Sequence, residues 1–367
     1  MSTLNLQEIL PNKSKTYIII GFAVAVVLFI LYYISDKLNL ITKNCKQLSK
    51  QPNSTIVSIK DIKSKIDLND TLNNYYIKTA YNCCCTGNFK NDYVDLCALQ
   101  NCASYGVRAL DFQIYSLNNK PIISASSVNS NQYKEMYNYI PFYDGMLNVS
   151  KWFVTNSTNA NASDPLFLIF RLHSTNATIY NMMAQSLNKV FGYGSLLGNR
   201  IYVVPQNSTL DTTPLRTLDQ RIVIIVDSTY ADKSAFENSN LSSYTSLITG
   251  SSISNHIYRE NELLSVIGVN NSIGTDTNLS TNIHILYPNL QVNKNNYDFV
   301  TSGIFNKISF IGMNFQHNDK DFLSQYNEIF SDCAFLNKND TLVKICSQSL
   351  YSPVKTCRSI NANATRV

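Results

Sequence analysis

The stretch from Tyr287 to Phe330 reads YPNLQVNKNNYDFVTSGIFNKISFIGMNFQHNDKDFLSQYNEIF. Its apolar run from Ile308 to Asn314 predicts a short buried strand, and the apolar spacing from Lys320 to Phe330 predicts a helix. A buried strand followed by a helix is the repeating unit of an α/β fold. The segment therefore predicts an α/β fold if the same unit recurs along the chain.

The unit does recur, in both directions from this stretch. Apolar spacing predicts a helix from Ala177 to Phe191, and a polar stretch from about Ser228 to Asn261 separates two halves. Strands spaced by helices over about 300 residues predict a closed barrel of the α/β class, irregular and interrupted midway. The predicted strands are Tyr76–Ala80, Val107–Tyr115, Pro121–Ser124, Leu166–Leu172, Arg221–Val226, Ile283–Leu286 and Ile308–Asn314, with a short last strand near Leu342.

Two ordered sets of motifs resemble the X and Y regions of the eukaryotic phosphoinositide-specific phospholipases C. In the second half, residues 295–297 match the S-N-Y of R-x-D-S-S-N-Y, and residues 313–316 match L-N-F-Q. In the first half, GVRALDFQI from Gly106 resembles the family's second barrel strand, and DPLFLIFRLHS from Asp164 resembles Y-P-V-I-L-S-I-E-N-H. The resemblance implies a distorted (β/α)₈ barrel of the phospholipase C-like type, with its site at the C-terminal ends of the strands.

The resemblance also implies catalytic positions, and these hold the wrong residues. The family cleaves phosphoinositides with two histidines and a calcium ion. Here Tyr81 stands at the first histidine position and Ala125 at the second, and neither side chain can shuttle a proton near neutral pH. The chain has four histidines, none of them in the first two strands: His173, His256, His284 and His317.

The calcium ligands implied by the resemblance are incomplete. Asn82 and Asp111 remain as candidate metal ligands, but Gln113 replaces the second acidic ligand and Arg171 replaces a glutamate. One carboxylate and two amides facing an arginine form a poor cage for a divalent cation. We therefore expect no cofactor, and calcium only if the site has been rebuilt. As alternatives, Asn82 caps a loop, and Asp111 forms an ion pair with Arg108 or Arg171.

Residues 17–34, YIIIGFAVAVVLFILYYI, are uncharged and predict a membrane-spanning helix. At 1.5 Å per residue this run is about 27 Å long, enough to cross a thin hydrocarbon core. It has no polar face and no small-residue cleavage site, which argues against a core helix and a signal peptide. We expect a single-pass membrane protein of a host-cell or virion membrane. The lysines that follow the run outnumber those before it, which favours a cytosolic C-terminal domain.

Nine cysteines and 13 N-x-S/T sequons favour the opposite topology, a glycoprotein in an oxidising compartment, so the topology is left open. No cysteine pair has the spacing of a zinc site, which leaves disulfides or buried thiols. For the triple cysteine after Tyr81, we favour a disulfide to Cys97 or Cys102 that pins this loop, with Cys45 left over. The candidate disulfide cysteines are Cys83, Cys84, Cys85, Cys97, Cys102, Cys333, Cys346 and Cys357.

The charge balance argues against a nucleic-acid partner. Lys and Arg total 30 against 25 Asp and Glu, with no dense basic run. The expected layout is an N-terminal tail (1–16), a transmembrane helix (17–34), a juxtamembrane linker (35–74), an X-like half barrel (75–228), a polar linker (229–262), a Y-like half barrel (263–350) and a C-terminal tail (351–367).

Two functions fit this sequence. The first is a membrane-anchored, catalytically inactive relative that binds a phosphoinositide headgroup or a protein, or serves as a structural membrane protein. The second is an active phosphodiesterase with a site rebuilt around Asp111, His173 and Arg171. The second requires these three side chains to converge within reach of a reacting phosphate. The first predicts a pocket filled by Tyr81 and neighbouring aromatics, or closed by a cysteine-pinned loop, and His173 is then a satisfied core histidine.

Overall fold

The computed structural model describes residues 12–50, 60–128, 134–157, 159–250, 256–270, 282–317, 319, 321–348 and 357. Twelve strands within these ranges form one curled sheet. They are β1 (Tyr75–Ala80), β2 (Ala109–Leu117), β3 (Lys120–Ser124), β4 (Ile140–Pro141), β5 (Leu166–Leu172), β6 (Ile201–Tyr202), β7 (Ile222–Asp227), β8 (Leu247–Thr249), β9 (Ile257–Arg259), β10 (Ile285–Tyr287), β11 (Phe310–Met313) and β12 (Phe335–Asn337).

Nine helices lie in the described ranges, and six of them lie between strands of the sheet. They are α1 (Asn12–Leu38), α2 (Leu40–Leu48), α3 (Leu96–Ser104), α4 (Phe142–Val149), α5 (Ala177–Phe191), α6 (Lys233–Glu237), α7 (Glu260–Asn270), α8 (Leu323–Ile329) and α9 (Lys338–Cys346). Capping residues define both ends of α5. Asn176 accepts a hydrogen bond from the Thr178 N–H at 3.0 Å at the start of the helix, and Gly192 ends it.

Eight parallel strands follow one another around a barrel. The ladder runs from β1 through β2, β5 and β7 to β8, and from β9 through β10 and β11 back to β1. Between β8 and β9 no pairing occurs in the described part of the chain, so the barrel opens there. The predicted distorted (β/α)₈ barrel, interrupted midway, is confirmed.

The sequence-based element assignment was wrong at two places. The segment 229–262, expected as a polar linker, contains the barrel strands β8 and β9, whose three-residue cores are too short to show a period. The last strand is β12, whereas Leu342 lies in α9. Helix α9 begins at Lys338 because Asn337 caps it, accepting hydrogen bonds from the N–H groups of Asn339 and Asp340.

Side-chain alternation decides which residues face the barrel interior. Phe167 on β5 and Phe310 on β11 lie on strands that are not neighbours, yet their ring centroids are 5.1 Å apart, so they meet across the interior. Residues two and four positions further along a strand share that side. Arg171, near the C-terminal end of β5, therefore points into the barrel interior.

The disulfides differ from the expected ones. Cys97 pairs with Cys45, because the juxtamembrane segment contains α2, which packs against α3 and brings the two sulfurs together across 52 residues. Cys346 pairs with Cys357. The expected bridge from the triple cysteine to Cys97 or Cys102 is wrong. The remaining cysteines are buried free thiols: Cys83, Cys84, Cys85, Cys102 and Cys333.

A buried lysine gives the barrel a pH-dependent stability. Lys338 donates a hydrogen bond to the Ser309 hydroxyl at 3.0 Å, and burial, aided by Lys307, lowers its pKa to about 7. Between pH 7 and 10.5 the unfolded chain binds more protons at this site, so the free energy of unfolding should rise with pH in that window. Below pH 7 both states are protonated, and the folded state carries the whole cost of burying the charge.

We predict that Lys338→Met raises the free energy of unfolding at pH 7 by on the order of 2 kcal/mol and removes this share of the rise towards pH 10.5. Urea melts of both proteins across that range measure the effect. Lys120→Met, at an exposed position, is the control. An equal pH slope in wild type and Lys338→Met would contradict the assignment.

Candidate functional site

A buried ion pair lies just beyond the C-terminal end of β1, between Asp111, the third residue of β2, and Arg171, near the end of β5. Arg171 donates from Nε to Oδ1 of Asp111 and from Nη2 to Oδ2, both at 2.8 Å, and from Nη2 to Oδ1 of Asn82, also at 2.8 Å. All three residues are at most 3% exposed. The guanidinium thus lies between the two residues that the sequence left as candidate metal ligands.

Two further donors complete the surroundings of the Asp111 carboxylate. The Asn82 N–H donates to Oδ2 and the Tyr287 hydroxyl to Oδ1, both at 2.9 Å. Asn82 reaches this position with a φ of +44°, a left-handed conformation that asparagine tolerates better than most residues. Each carboxylate oxygen therefore accepts two hydrogen bonds. The arginine that pairs with Asp111 is Arg171.

Arg108, the other candidate partner, lies elsewhere. It donates to the backbone oxygens of Phe153 at 2.9 Å, of Pro165 at 3.2 Å and of Asp164. These carbonyls belong to the connection that precedes β5, at the opposite end of the strands from Asp111. Arg108 therefore stabilises that connection by hydrogen-bonding its carbonyls, which is a structural role.

Electrostatics fix the protonation states of the pair's neighbours. Burial opposes the charge of Arg171, but the charge and hydrogen bonds of Asp111, together with the neighbouring Tyr81 and Tyr287, outweigh burial and raise the Arg171 pKa. Burial, followed by the charge of Asp111, raises the pKa of Tyr287 well above its ordinary value. Arg171 therefore stays charged and Tyr287 stays neutral throughout the physiological range, and neither can exchange a proton with a substrate there.

Two tyrosines and a second arginine cover the ion pair. The Tyr81 and Tyr287 ring centroids are 4.8 Å apart, and the Arg171 guanidinium carbon lies 4.8 Å from the Tyr81 centroid and 5.2 Å from that of Tyr287. Arg259 lies against the same rings at 5.2 and 5.6 Å, and donates to the Tyr81 hydroxyl and the Pro288 carbonyl at 3.0 Å. This cluster of Tyr81, Arg171, Arg259 and Tyr287, the arginine–tyrosine plug, fills the interior at the barrel mouth.

His173 occupies a different environment, two residues beyond Arg171. Its ring stacks between Tyr115, at 5.1 Å and 20°, and Tyr230, at 5.2 Å and 17°, and it is 2% exposed. Of the three residues proposed for a rebuilt site, the structure joins Asp111 and Arg171 directly and places His173 in a tyrosine stack.

Gln113, at the eroded acidic position, supports the loop that follows β3. Its Oε1 accepts from the Tyr115 hydroxyl at 2.7 Å and from the Ser126 N–H at 2.8 Å, next to the buried Ala125. Glu135 holds the same loop through Ser126 and Ser127. Burial disfavours the Glu135 charge, but hydrogen bonds from Lys90 and Ser127 outweigh it and lower the pKa to about 2.

This set of donors and acceptors does not fit a calcium ion. Calcium takes six to eight oxygen ligands, whereas the Asp111 oxygens and Oδ1 of Asn82 already accept hydrogen bonds from Arg171 and its neighbours. Among the described residues, three buried atoms here have no hydrogen-bond partner, and all three carry N–H donors: Nδ2 of Asn82, Nε2 of Gln113 and Nη1 of Arg171. Such donors attract an oxygen of water or an anion, and the guanidinium repels a metal cation.

Sequence reasoning missed Arg259 and the role of Tyr287. Arg259 lies in the stretch interpreted as a polar linker, where nothing marked it. Tyr287 is the first residue of the Y-like motif, but the motif alone gave it no partner. A signal existed in Arg171 itself, since a buried arginine on a central strand requires acceptors and apolar or aromatic cover.

We predict that Arg171→Met lowers the free energy of unfolding by about 3–5 kcal/mol, because it leaves the Asp111 charge buried without its partner. The double variant Arg171→Met with Asp111→Asn should recover part of this loss, since it removes the uncompensated charge. Urea melts of the four members of this cycle measure the coupling. Additive effects of the two substitutions would contradict a direct interaction.

Comparisons with known proteins find the fold in solved structures only, since no family model and no curated protein sequence matches. PLC21 from S. officinalis aligns with a TM-score of 0.59 at 17% identity, and PLC21 from L. pealei with 0.58 at 17%. Each alignment covers 74% of this chain and 38% of the other, so the chain spans well under half of those proteins. A mutant of the phosphatidylinositol-specific phospholipase C from Staphylococcus aureus aligns with 0.45 at 12%, over 76% of this chain and 99% of the other.

At 17% identity, the two PLC21 alignments show a shared fold and nothing further, and the eight-stranded parallel ladder described above agrees with that fold. The chain therefore has the fold of a phospholipase C-like barrel.

Proposed function

We propose that this chain is a membrane-anchored phospholipase C-like barrel that does not hydrolyse phosphodiesters and acts by binding at the membrane or as a structural membrane protein. The observation that carries the proposal is the Arg171 guanidinium, which donates to both Asp111 and Asn82 beneath the arginine–tyrosine plug.

Proton transfer supports this proposal. Attack of an inositol 2-hydroxyl on its phosphodiester requires a base and an acid with pKa values near the working pH. Tyr81, at the first histidine position, accepts a hydrogen bond from Arg259, and the buried Ala125 at the second has no group that titrates. Arg171 stays charged and Tyr287 stays neutral throughout the physiological range, so neither replaces the missing base or acid.

Access supports it as well. Each member of the arginine–tyrosine plug is at most 5% exposed. A phosphoinositide phosphate could reach Asp111 only by displacing stacked rings and two charge-bearing side chains, each held by hydrogen bonds. We therefore place binding of a headgroup or a protein partner on the outer loops of the barrel, and not in its interior.

The membrane anchor is the third part of the proposal. Residues Ser14–Leu38 of α1 contain an apolar window of 18 residues with a mean hydropathy of 2.7, and none of that window is buried against the protein. A helix that is apolar on every side and covered by nothing requires lipid around it. Since α1 runs on into α2, which is bound to the barrel, we infer that it is retained and not removed as a signal sequence. The orientation and glycosylation of the chain stay predictions.

The first test is inositol phosphate release from phosphatidylinositol and its bisphosphate in vesicles, with the full-length chain. We expect no turnover above a blank, with calcium or with chelator, because the centre lacks an acid and a base. The matched control is Asp111→Asn. Turnover by wild type that this substitution abolishes would replace the proposal with an active, rebuilt site.

The second test is calcium binding. We expect no heat of binding and no change in melting temperature in millimolar calcium, since Arg171 already supplies the positive charge. Arg171→Glu restores a carboxylate beside Asp111 and Asn82, and should produce calcium-dependent stabilisation of the variant. If calcium stabilised the wild type and this stabilisation were lost in Asp111→Asn, the conclusion that the site does not fit calcium would be contradicted.

A further inference from the structure

Three buried N–H donors at the barrel mouth have no acceptor among the described residues. They are Nδ2 of Asn82, Nε2 of Gln113 and Nη1 of Arg171, which we call the donor triad. All three side chains are at most 3% exposed. A buried donor without an acceptor costs about 1–3 kcal/mol, because it has lost its hydrogen bonds to water. We therefore expect the donor triad to bind a ligand that accepts hydrogen bonds.

The fold places these donors beside one another. Gln113 and Arg171 are register partners on the neighbouring parallel strands β2 and β5. Gln113 is two residues beyond Asp111, so both side chains lie on the side of the sheet that Arg171 occupies. The Asn82 amide is bound to the same guanidinium, since its Oδ1 accepts from Nη2 of Arg171 at 2.8 Å. The donor triad thus joins the loop after β1 to strands β2 and β5.

The acceptors around the donor triad are almost all in use. Each Asp111 oxygen accepts two hydrogen bonds, and Oε1 of Gln113 accepts two, from Tyr115 and Ser126. One lone pair remains among these groups, on Oδ1 of Asn82. A water molecule has two hydrogens to donate, and at least one of them would lack an acceptor here. An anion only accepts, so the surplus of donors favours an anion.

The charges of the centre also favour an anion. Arg171 and Arg259 both lie against the two tyrosine rings of the plug. In the described part of the chain, Asp111 is the only carboxylate that forms an ion pair with either arginine. Glu262 is exposed, and its carboxylate accepts from the Arg259 backbone N–H at 2.9 Å. Two buried guanidiniums therefore share one buried carboxylate, and a bound anion would balance the second positive charge.

Enclosure limits the size of this anion. Every member of the plug that covers the centre is buried. A phosphate group carries several oxygens, and would require more donors and wider access than the donor triad offers. A monatomic halide accepts from N–H groups in any direction and is small enough to lie among three of them. Chloride is the halide that cells and ordinary buffers supply.

We propose that the donor triad binds one chloride ion beside the Arg171–Asp111 ion pair, so that the centre holds an anion where the sequence resemblance implied a cation. The ion links the loop after β1 with strands β2 and β5, and stabilises the closed barrel mouth. This proposal rests on the metal-free centre of the proposed function, and it adds the ligand that this centre takes.

Thermal melts of the full-length chain in detergent test the proposal. Sodium chloride is replaced stepwise by sodium gluconate at constant ionic strength, with chelator present throughout. We expect the melting temperature to rise with chloride concentration, because chloride binds the folded state and not the unfolded chain. Once the site is nearly saturated, each further tenfold increase in chloride should add about 1.4 kcal/mol to the free energy of unfolding.

Gln113→Glu should remove this chloride dependence. The substitution keeps an oxygen for the hydrogen bonds from Tyr115 and Ser126, replaces the free N–H donors by a second oxygen, and supplies the negative charge itself. Gln185→Glu, at an exposed position of α5, is the matched control and should keep the dependence. Asn82→Asp makes the same exchange in the loop after β1, and replaces Gln113→Glu if that variant folds poorly.

Equal stability of the wild type in chloride and in gluconate would overturn the proposal. A chloride effect of the same size in Gln113→Glu and Asn82→Asp would overturn it too, because the effect would then be a general action of the salt.

Crystals grown in sodium bromide add a direct measurement. We expect an anomalous peak in contact with all three nitrogens of the donor triad, whereas peaks at the protein surface alone would mark an adventitious ion only and overturn the proposal. Failure of the proposed function is distinguishable, because it would appear as turnover or as stabilisation by calcium, neither of which these measurements record.

Discussion

The fully buried carboxylate of Asp111 is the constraint on which the barrel mouth depends. Removing an ion of this kind from water costs several kcal/mol unless a partner and hydrogen bonds replace the solvent. Arg171 supplies the partner, and Asn82 and Tyr287 supply the other hydrogen bonds. The guanidinium needs cover in turn, and the faces of Tyr81 and Tyr287 provide it. The buried charge of Asp111 thus accounts for the arrangement of the arginine–tyrosine plug around it.

A fixed guanidinium and a bound metal ion have different consequences at such a position. A calcium ion leaves coordination sites for water and substrate and can exchange. Arg171 is covalently part of β5, directs its hydrogen bonds at Asp111 and Asn82, and is stacked against rings. The centre therefore resembles a structural ion pair more than a catalytic one. The proposed function therefore assigns binding to the outer loops and to the attached helix.

The sequence predicted the parts of this structure that repeat or are strongly patterned. Strand β5 and helix α5 were predicted to the residue, because a seven-residue apolar run and a capped amphipathic pattern leave few alternatives. Strands β8 and β9 were missed because three residues show no period. The Cys45–Cys97 bridge was missed because it depends on how α2 packs, which sequence spacing does not record.

The site was predictable in its composition and not in its geometry. The arginine at a ligand position and the missing histidines are visible in the sequence. They led to two candidate partners for Asp111, Arg108 and Arg171, of which Arg171 is correct. Arg259 was not predictable, because its role arises only when β9 joins β10 in the barrel and brings it over Tyr81. Contacts between strands distant in the chain carry no local pattern.

Hydrogen exchange at the Arg171 guanidinium tests the central claim most directly. In ¹H–¹⁵N spectra at mildly acidic pH, the Nε–H resonance, assigned by its loss in Arg171→Lys, reports how well Asp111 holds this group. The account predicts exchange far slower than at the exposed Arg216, and unchanged by calcium. Exchange as fast as at Arg216 would show that the guanidinium is open to solvent, and would contradict a closed, metal-free centre.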